Sequence, residues 1–268
     1  MNSVKLIALD IDGTLYNKDF AVTSYNKEMI RKAVENRITV IISTGRPYIG
    51  LPVDEMKELG IQYAITANGS AVYRVPEKEL LLDESMDTDL SVRLLRKLYT
   101  QSLHIDAFIN GDGYTQFSTS ELTNLLDIPD SLKKYIQTTR KTITDLAAYI
   151  EEHKLCVSKL TLNFAPDADG SYTTREKTKE ILDTFPEVTY VSGGFHNLEV
   201  TRCGIAKSKG LEDTMAVGDS ENDLDIVKAA GIGVAMGNAQ QLLKDSADFI
   251  SLSNEEDGVA FAIERFCF

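Results

Sequence analysis

The sequence predicts an α/β fold: a doubly wound, mostly parallel sheet interrupted by an inserted α+β domain. Three observations point there. Strand-like apolar runs alternate with helix-spaced segments in the first third of the chain, the alternation loosens between Asp83 and Gly193, and it returns after Phe195. At 268 residues the chain is also long enough for two modules.

Val4–Leu9 (VKLIAL) is compact and mostly apolar, the composition of a strand buried on both faces. Tyr25–Arg37 sets Met29, Ile30, Ala33 and Val34 at helical spacing, with Ser24 as the N-cap. Thr39–Ser43 is a second strand, Tyr48–Leu59 reads as a helix stopped at Gly60, and Tyr63–Thr66 is a third strand. The middle section carries helices at Leu90–Tyr99 and Ile143–Glu152 and strands at Lys159–Asn163 and Val188–Ser192. Strand Thr214–Val217, helix Asn222–Ala230, strand Ile232–Met236 and helix Ala239–Lys244 then restore the α/β rhythm. Residues 1–83 and 194–268 are therefore read as one core, and 84–193 as the insertion.

Hydrophobic residues make up 43% of the chain and charged residues 26%, ordinary for a globular protein and unlike a disordered one. A formal net charge of −13 argues against binding nucleic acid or an anionic membrane through bulk electrostatics. Cys156, Cys203 and Cys267 form no C-x-x-C pair, which suits reduced thiols and supplies neither a zinc knuckle nor a disulfide frame. No apolar stretch approaches the roughly 18 residues of a membrane span. These features predict a soluble, cytoplasmic protein.

The strongest chemical signal is Asp10-Ile11-Asp12-Gly13-Thr14, directly after the first strand. Ligands of open α/β sheets bind beyond the carboxyl ends of strands, and two acids one residue apart on a turn through Gly13 converge on one place. Thr44-Gly45-Arg46 follows the second strand with a hydroxyl and an N–H suited to phosphate oxygens. Gly218-Asp219-Ser220-Glu221-Asn222-Asp223 follows a later strand with further carboxylates and an amide. So many acids in one crevice repel each other without a cation, and Asp10, Asp12 and Asp219 suit Mg²⁺. His104, His153 and His196 are scattered away from any nucleophile motif and read as surface or packing residues. Gly231–Gly237 follows a helix instead of opening one behind the first strand, so it reads as packing and not as a dinucleotide loop.

Taken in order, D-I-D-G-T at 10–14, S-T-G-R at 43–46, A-N-G at 67–69, L-E-V-T-R-C-G-I-A-K at 198–207, G-D-S-E-N-D at 218–223, G-V-A-M-G-N-A at 233–239 and N-E-E-D-G-V-A at 254–260 resemble the haloacid dehalogenase superfamily, in particular its Cof-type phosphatases with a type IIB cap. The resemblance covers nearly the whole chain. It implies a Rossmann-like core, a substrate-specificity cap and a Mg²⁺-dependent phosphatase for small phosphorylated metabolites, with sugar phosphates foremost. It further implies that Asp10 is the nucleophile and a Mg²⁺ ligand, and that Asp12 is the general acid and base with a metal-binding backbone carbonyl. Thr44, Gly45, the N–H of Ile11, Lys207 and Asn222 would then bind phosphate. Asp219 would ligate the metal directly, and Asp223 would orient metal-bound water. The implied partner is a small phosphorylated metabolite, on a monomer or homodimer. A sugar phosphomutase of the same superfamily and a non-catalytic metabolite-binding protein are the rival expectations.

One stretch departs from the pattern. Lys207 follows Gly204 by three positions, but Ser208 stands next where the family has Gly, and Lys209-Gly210 offers a second match. Only Ser208–Asp213 separate Lys207 from the strand at Thr214, fewer than the dozen or so residues of a parallel crossover. The interval points to a helical segment missing from the chain or to a real deletion.

Overall fold

The structure, a computed structural model, describes residues 4–204 and 213–268. Lys207, Lys209 and the short interval beside them lie outside the described residues. In chain order the strands are β1 (Leu6–Leu9), β2 (Thr39–Ser43), β3 (Tyr63–Thr66), β4 (Ala71–Arg74), β5 (Glu79–Asp83), β6 (His104–Ile109), β7 (Asp112–Gln116), β8 (Arg140–Ile143), β9 (Lys159–Asn163), β10 (Val188–Ser192), β11 (Leu198–Arg202), β12 (Thr214–Gly218), β13 (Ile232–Ala235) and β14 (Phe249–Ile250). Among the described residues they form an eight-stranded sheet, ordered β14-β13-β12-β1-β2-β3-β4-β5, and a six-stranded sheet, ordered β10-β11-β9-β6-β7-β8. The described residues divide into two compact units, 4–45, 52–82 and 213–268 in the first and 46–51 and 83–204 in the second.

The first unit holds the eight-stranded sheet. Its pairs from β14 to β3 are parallel and β3–β4 is antiparallel. Ile7, Leu9, Ile42, Val217 and Val234 are buried in it, as continuous apolar runs require in a sheet covered on both faces. Helix Ser24–Glu35 is capped by Thr23, whose hydroxyl accepts the Asn26 N–H at 3.2 Å, so Ser24 is the first helical residue and not the cap. The expected helix over 48–59 is broken. A single turn at Tyr48–Gly50 stops, Leu51 is extended (ψ 142°), and the α-helix is only Val53–Glu58. Pro52 is the cause, because its ring crowds the preceding residue out of helical geometry.

The second unit packs helices Thr88–Leu98 and Leu146–His153 on one face of the six-stranded sheet. Leu94, Leu95, Leu98 and Ile150 meet Ile105, Ala107, Leu160, Leu162 and Val200 there. Side chains alternate along a strand, so the same register gives the opposite face a different composition. Asp106 pairs with Thr115 and Thr161, Phe108 with Lys159, and His104 with Asn163. Lys159, only 2% exposed, donates to Glu199 at 2.7 Å. Arg140 Nε lies 3.2 Å from the Asp106 carboxylate.

Residues 194–204, expected in the core, belong to this second unit. β11 pairs antiparallel with β10 (Tyr190 with Val200) and with β9 (Val200 with Leu160). The physical reason is the tight return over Gly193–Asn197, which makes β10 and β11 a hairpin that no domain boundary can divide. β11 and β12 lie in different sheets, so the minimum length of a parallel crossover within one sheet does not apply between them.

Candidate active site

The site begins with strand order. β1 lies between β12 and β2, and its register sets Leu9 beside both Val217 and Ile42. The residues that follow these three leave one edge of the sheet together. They are Asp10, the Gly218–Asp219 pair and the Ser43–Thr44 pair. Loops with matching chemistry far apart in sequence thus become neighbours because parallel strands end in step.

Asp10 is 5% exposed, and its N–H donates to the Val217 carbonyl at 3.1 Å. One carboxylate oxygen from each of Asp10, Asp219 and Asp223 lies within 4.8 Å of the other two. Asp12 is exposed on the following turn and is not one of these three. That turn is closed by the N–H of Tyr16, which donates to the Ile11 carbonyl at 2.9 Å. The Ile11 side chain is buried beneath it.

Two glycines make room for the acids. Gly13 has φ +81°, and a Cβ there would stand 2.4 Å from Asp219 Oδ2. A Cβ on Gly218 would stand 2.5 Å from the Asp223 Cβ. Asp223 in turn accepts the N–H groups of Asp219 (3.1 Å) and Ser220 (3.2 Å) through its Oδ2. It is therefore both a member of the acidic group and the brace of the loop that presents Asp219. Three carboxylates this close repel one another, and hard oxygen donors alone suit a hard divalent cation. The residues present fit such an ion.

Thr44 is buried and donates its N–H to the Ile65 carbonyl at 2.9 Å, with half-buried Gly45 beside it. Its own carbonyl accepts the Asn68 N–H at 3.3 Å. Asn68 has a left-handed backbone (φ 59°), and its Oδ1 accepts from Asn222 Nδ2 at 3.5 Å, the long limit of a hydrogen bond. Asn68 thus stands between Thr44 and Asn222, two of the residues expected to hold phosphate. The sequence reading included it in A-N-G without assigning a role, although Asn before Gly is a ready signal for a left-handed turn. Lys207, the expected cationic partner, lies outside the described residues.

None of the histidines belongs to the acidic group, and all three lie in the second unit. His104 is buried between Thr115 Oγ1 (3.3 Å) and Asn163 Nδ2 (3.1 Å), and burial lowers its pKa. His153 and His196 are exposed and pack against Tyr149 and Tyr172, with ring centroids 4.3 and 4.2 Å apart. The Gly231–Gly237 stretch is a packing feature, since a Cβ on Gly233 would stand 2.2 Å from the Val227 carbonyl oxygen.

A family model described as haloacid dehalogenase-like hydrolase matches residues 7–263. The chain is 30% identical over 288 positions to the phosphatase YwpJ of Bacillus subtilis, with 98% of this chain and 99% of that one covered. It is 29% identical over 277 positions to the 5-amino-6-(5-phospho-D-ribitylamino)uracil phosphatase YcsE of the same organism, covering 98% and 96%. Among solved structures, a haloacid dehalogenase-like hydrolase from B. subtilis aligns with a TM-score of 0.82 at 29% identity, over 97% of this chain and 99% of that one. The 288-position alignment is longer than the 268-residue chain, so part of YwpJ stands opposite gaps in it.

Proposed function

Because the chain belongs to the haloacid dehalogenase-like hydrolases, we propose that it hydrolyses a small phosphorylated metabolite with Mg²⁺, through a phosphorylated Asp10, beneath a type IIB cap. The observation that carries this reading is the group of Asp10, Asp219 and Asp223 at the step-matched ends of β1 and β12.

The Asp10 carboxylate attacks phosphorus and the P–O bond of the ester breaks. Asp12, two positions beyond the nucleophile and open to solvent, gives its proton to the departing oxygen. Water then attacks the acyl phosphate while Asp12 takes a proton from it, and phosphate leaves Asp10 as a free carboxylate. Thr44, Gly45, the Ile11 N–H and Asn222 hold the phosphoryl oxygens, which matters because phosphoryl transfer depends chiefly on positioning and charge stabilisation. Asp10, Asp219 and the Asp12 carbonyl would hold Mg²⁺, with Asp223 bracing the loop of Asp219, and the ion would supply positive charge against the anionic nucleophile and substrate. Lys207 is assigned to the same phosphoryl group from its motif.

For the substrate we favour phosphorylated sugars and their open-chain polyols. The name of one relative describes a phosphomonoester on a ribityl chain, which supports that class. A net charge of −13 disfavours nucleic-acid phosphates. A panel of phosphorylated metabolites, assayed for released inorganic phosphate with and without Mg²⁺, tests the reading. Asp10→Asn should abolish release while the protein stays folded. Undiminished turnover in that variant would remove the mechanism, and an isomerised sugar phosphate without phosphate release would identify a phosphomutase.

A further inference from the structure

A distant part of the same unit braces the turn that carries Asp12. Asn238 Nδ2 donates to the Gly13 carbonyl at 2.7 Å. Asn238 Oδ1 accepts the Asn254 N–H at 3.0 Å, and Asn254 Nδ2 donates to the Tyr16 carbonyl at 2.8 Å. Next to it, Glu255 Oε1 accepts the Lys18 N–H at 2.5 Å. Two asparagines thus span the turn from Gly13 to Tyr16, and each uses its amide as a donor on one carbonyl of it. Within the turn, the Ile11 carbonyl receives Tyr16 N–H at 2.9 Å and Thr14 N–H at 3.4 Å, and Asp12 and Tyr16 form a parallel β-bridge.

We propose that the Asn238–Asn254 bridge is a positioning device for the Asp12 carboxyl, required for proton delivery to poor leaving groups and not for attack by Asp10. The inference rests on the role of Asp12 proposed above. The Gly13 carbonyl belongs to the Gly13–Thr14 peptide, one residue beyond Asp12, so releasing it loosens the turn on which the Asp12 side chain is mounted. Asp10 is held separately, by its own N–H on Val217. Loss of the bridge therefore separates two functions that a general loss of structure would damage together. Both asparagines are also suited to the work chemically. A backbone carbonyl needs a donor, and an Asp at either position would present a carboxylate oxygen to it instead.

The leaving group provides the test. A p-nitrophenolate departs without a proton, whereas the alkoxide of β-glycerophosphate needs one as the P–O bond breaks. Single-turnover release of each leaving group is measured, with Mg²⁺, for the wild type, Asn238→Ala, Asn254→Ala, the double variant and Asp12→Ala. Each asparagine variant should slow glycerol release by about 10- to 100-fold, the scale of a misplacement near 1 Å, and leave p-nitrophenolate release within about twofold. Asp12→Ala should lose glycerol release at least as strongly as either asparagine variant, and the double asparagine variant should be no worse than the poorer single one. Amide exchange at Tyr16 should quicken in both asparagine variants without Mg²⁺ present. Equal losses on both esters, or no loss on β-glycerophosphate, would overturn the proposal while leaving the phosphatase reading standing. A wild type inactive on both esters would instead remove that reading, and this inference with it.

Discussion

Replacing Gly13 by Ala tests the acidic site at its tightest point. The added Cβ would lie 2.4 Å from Asp219 Oδ2, whereas ordinary contacts begin at 3.4 Å, so the carboxylate must retreat by about 1 Å. A displacement of that size in a positioned group costs about 100-fold in rate, or about 2.7 kcal/mol of transition-state stabilisation. The backbone at φ +81° adds strain of about 1–2 kcal/mol for a residue with a Cβ. At about 2–4 °C per kcal/mol, that strain alone should lower Tm by about 2–8 °C and leave the chain folded at 25 °C. The assay is phosphate release titrated with Mg²⁺, beside thermal melts with and without the ion. Wild type should gain Tm with Mg²⁺ by ligand linkage, and the variant should gain less and need more Mg²⁺ for half-maximal rate. Gly13→Asn separates the two causes. Asn tolerates the left-handed region, so part of the Tm should return while the rate stays low. An unchanged Mg²⁺ midpoint and rate in Gly13→Ala would refute the placement of Asp219 against Gly13 in the working site.

Three further outcomes follow from the second unit and the termini. Glu199→Gln removes the carboxylate 2.7 Å from the 2%-exposed Lys159 ammonium and should cost about 3–5 kcal/mol in urea melts, whereas Lys159→Met with Glu199→Leu should recover most of it; equal losses would show that the pair is not isolated from water. His104 has a folded pKa below its usual 6.5, chiefly because it is buried, so the unfolded chain protonates first as pH falls. The stability it contributes is complete above that value and declines below it, and His104→Gln should flatten the fall of Tm across that window. Burial pushes the Cys267 thiol up to about 11 from 9.0, so at pH 8 its thiolate is about 100-fold scarcer than an ordinary one, and alkylation followed by mass spectrometry should find it the slowest of the cysteines.

Much of this site is legible without coordinates. An apolar run ending in D-I-D-G-T can be read as a buried strand delivering acids, because a sheet buried on both faces demands continuous hydrophobicity and ligands gather where its strands end. The same logic locates Thr44 and Asp219, and the observed strands Lys159–Asn163 and Val188–Ser192 match their expected bounds. Local rules also misled in places where a neighbour decides. Tyr48–Leu59 carries helix formers on both sides of Pro52, and that one proline splits it. β5 (ELLLD) and β11 (LEVTR) are too short to announce which sheet they join.

The sequence by itself determined the chemistry available: which acids, hydroxyls and amides follow which strands. Tertiary structure decided what those groups can do together. Only the register of β12, β1 and β2 places Asp10 beside Asp219 and Thr44, since strand order is a long-range pairing that residue composition does not specify. Only the folded chain sets Gly13 against Asp219, Asn68 between Thr44 and Asn222, and Asn238 and Asn254 across the turn of Asp12. These are contacts between residues as many as 238 positions apart, and hydrogen bonds of a few ångströms leave no periodic trace along a chain.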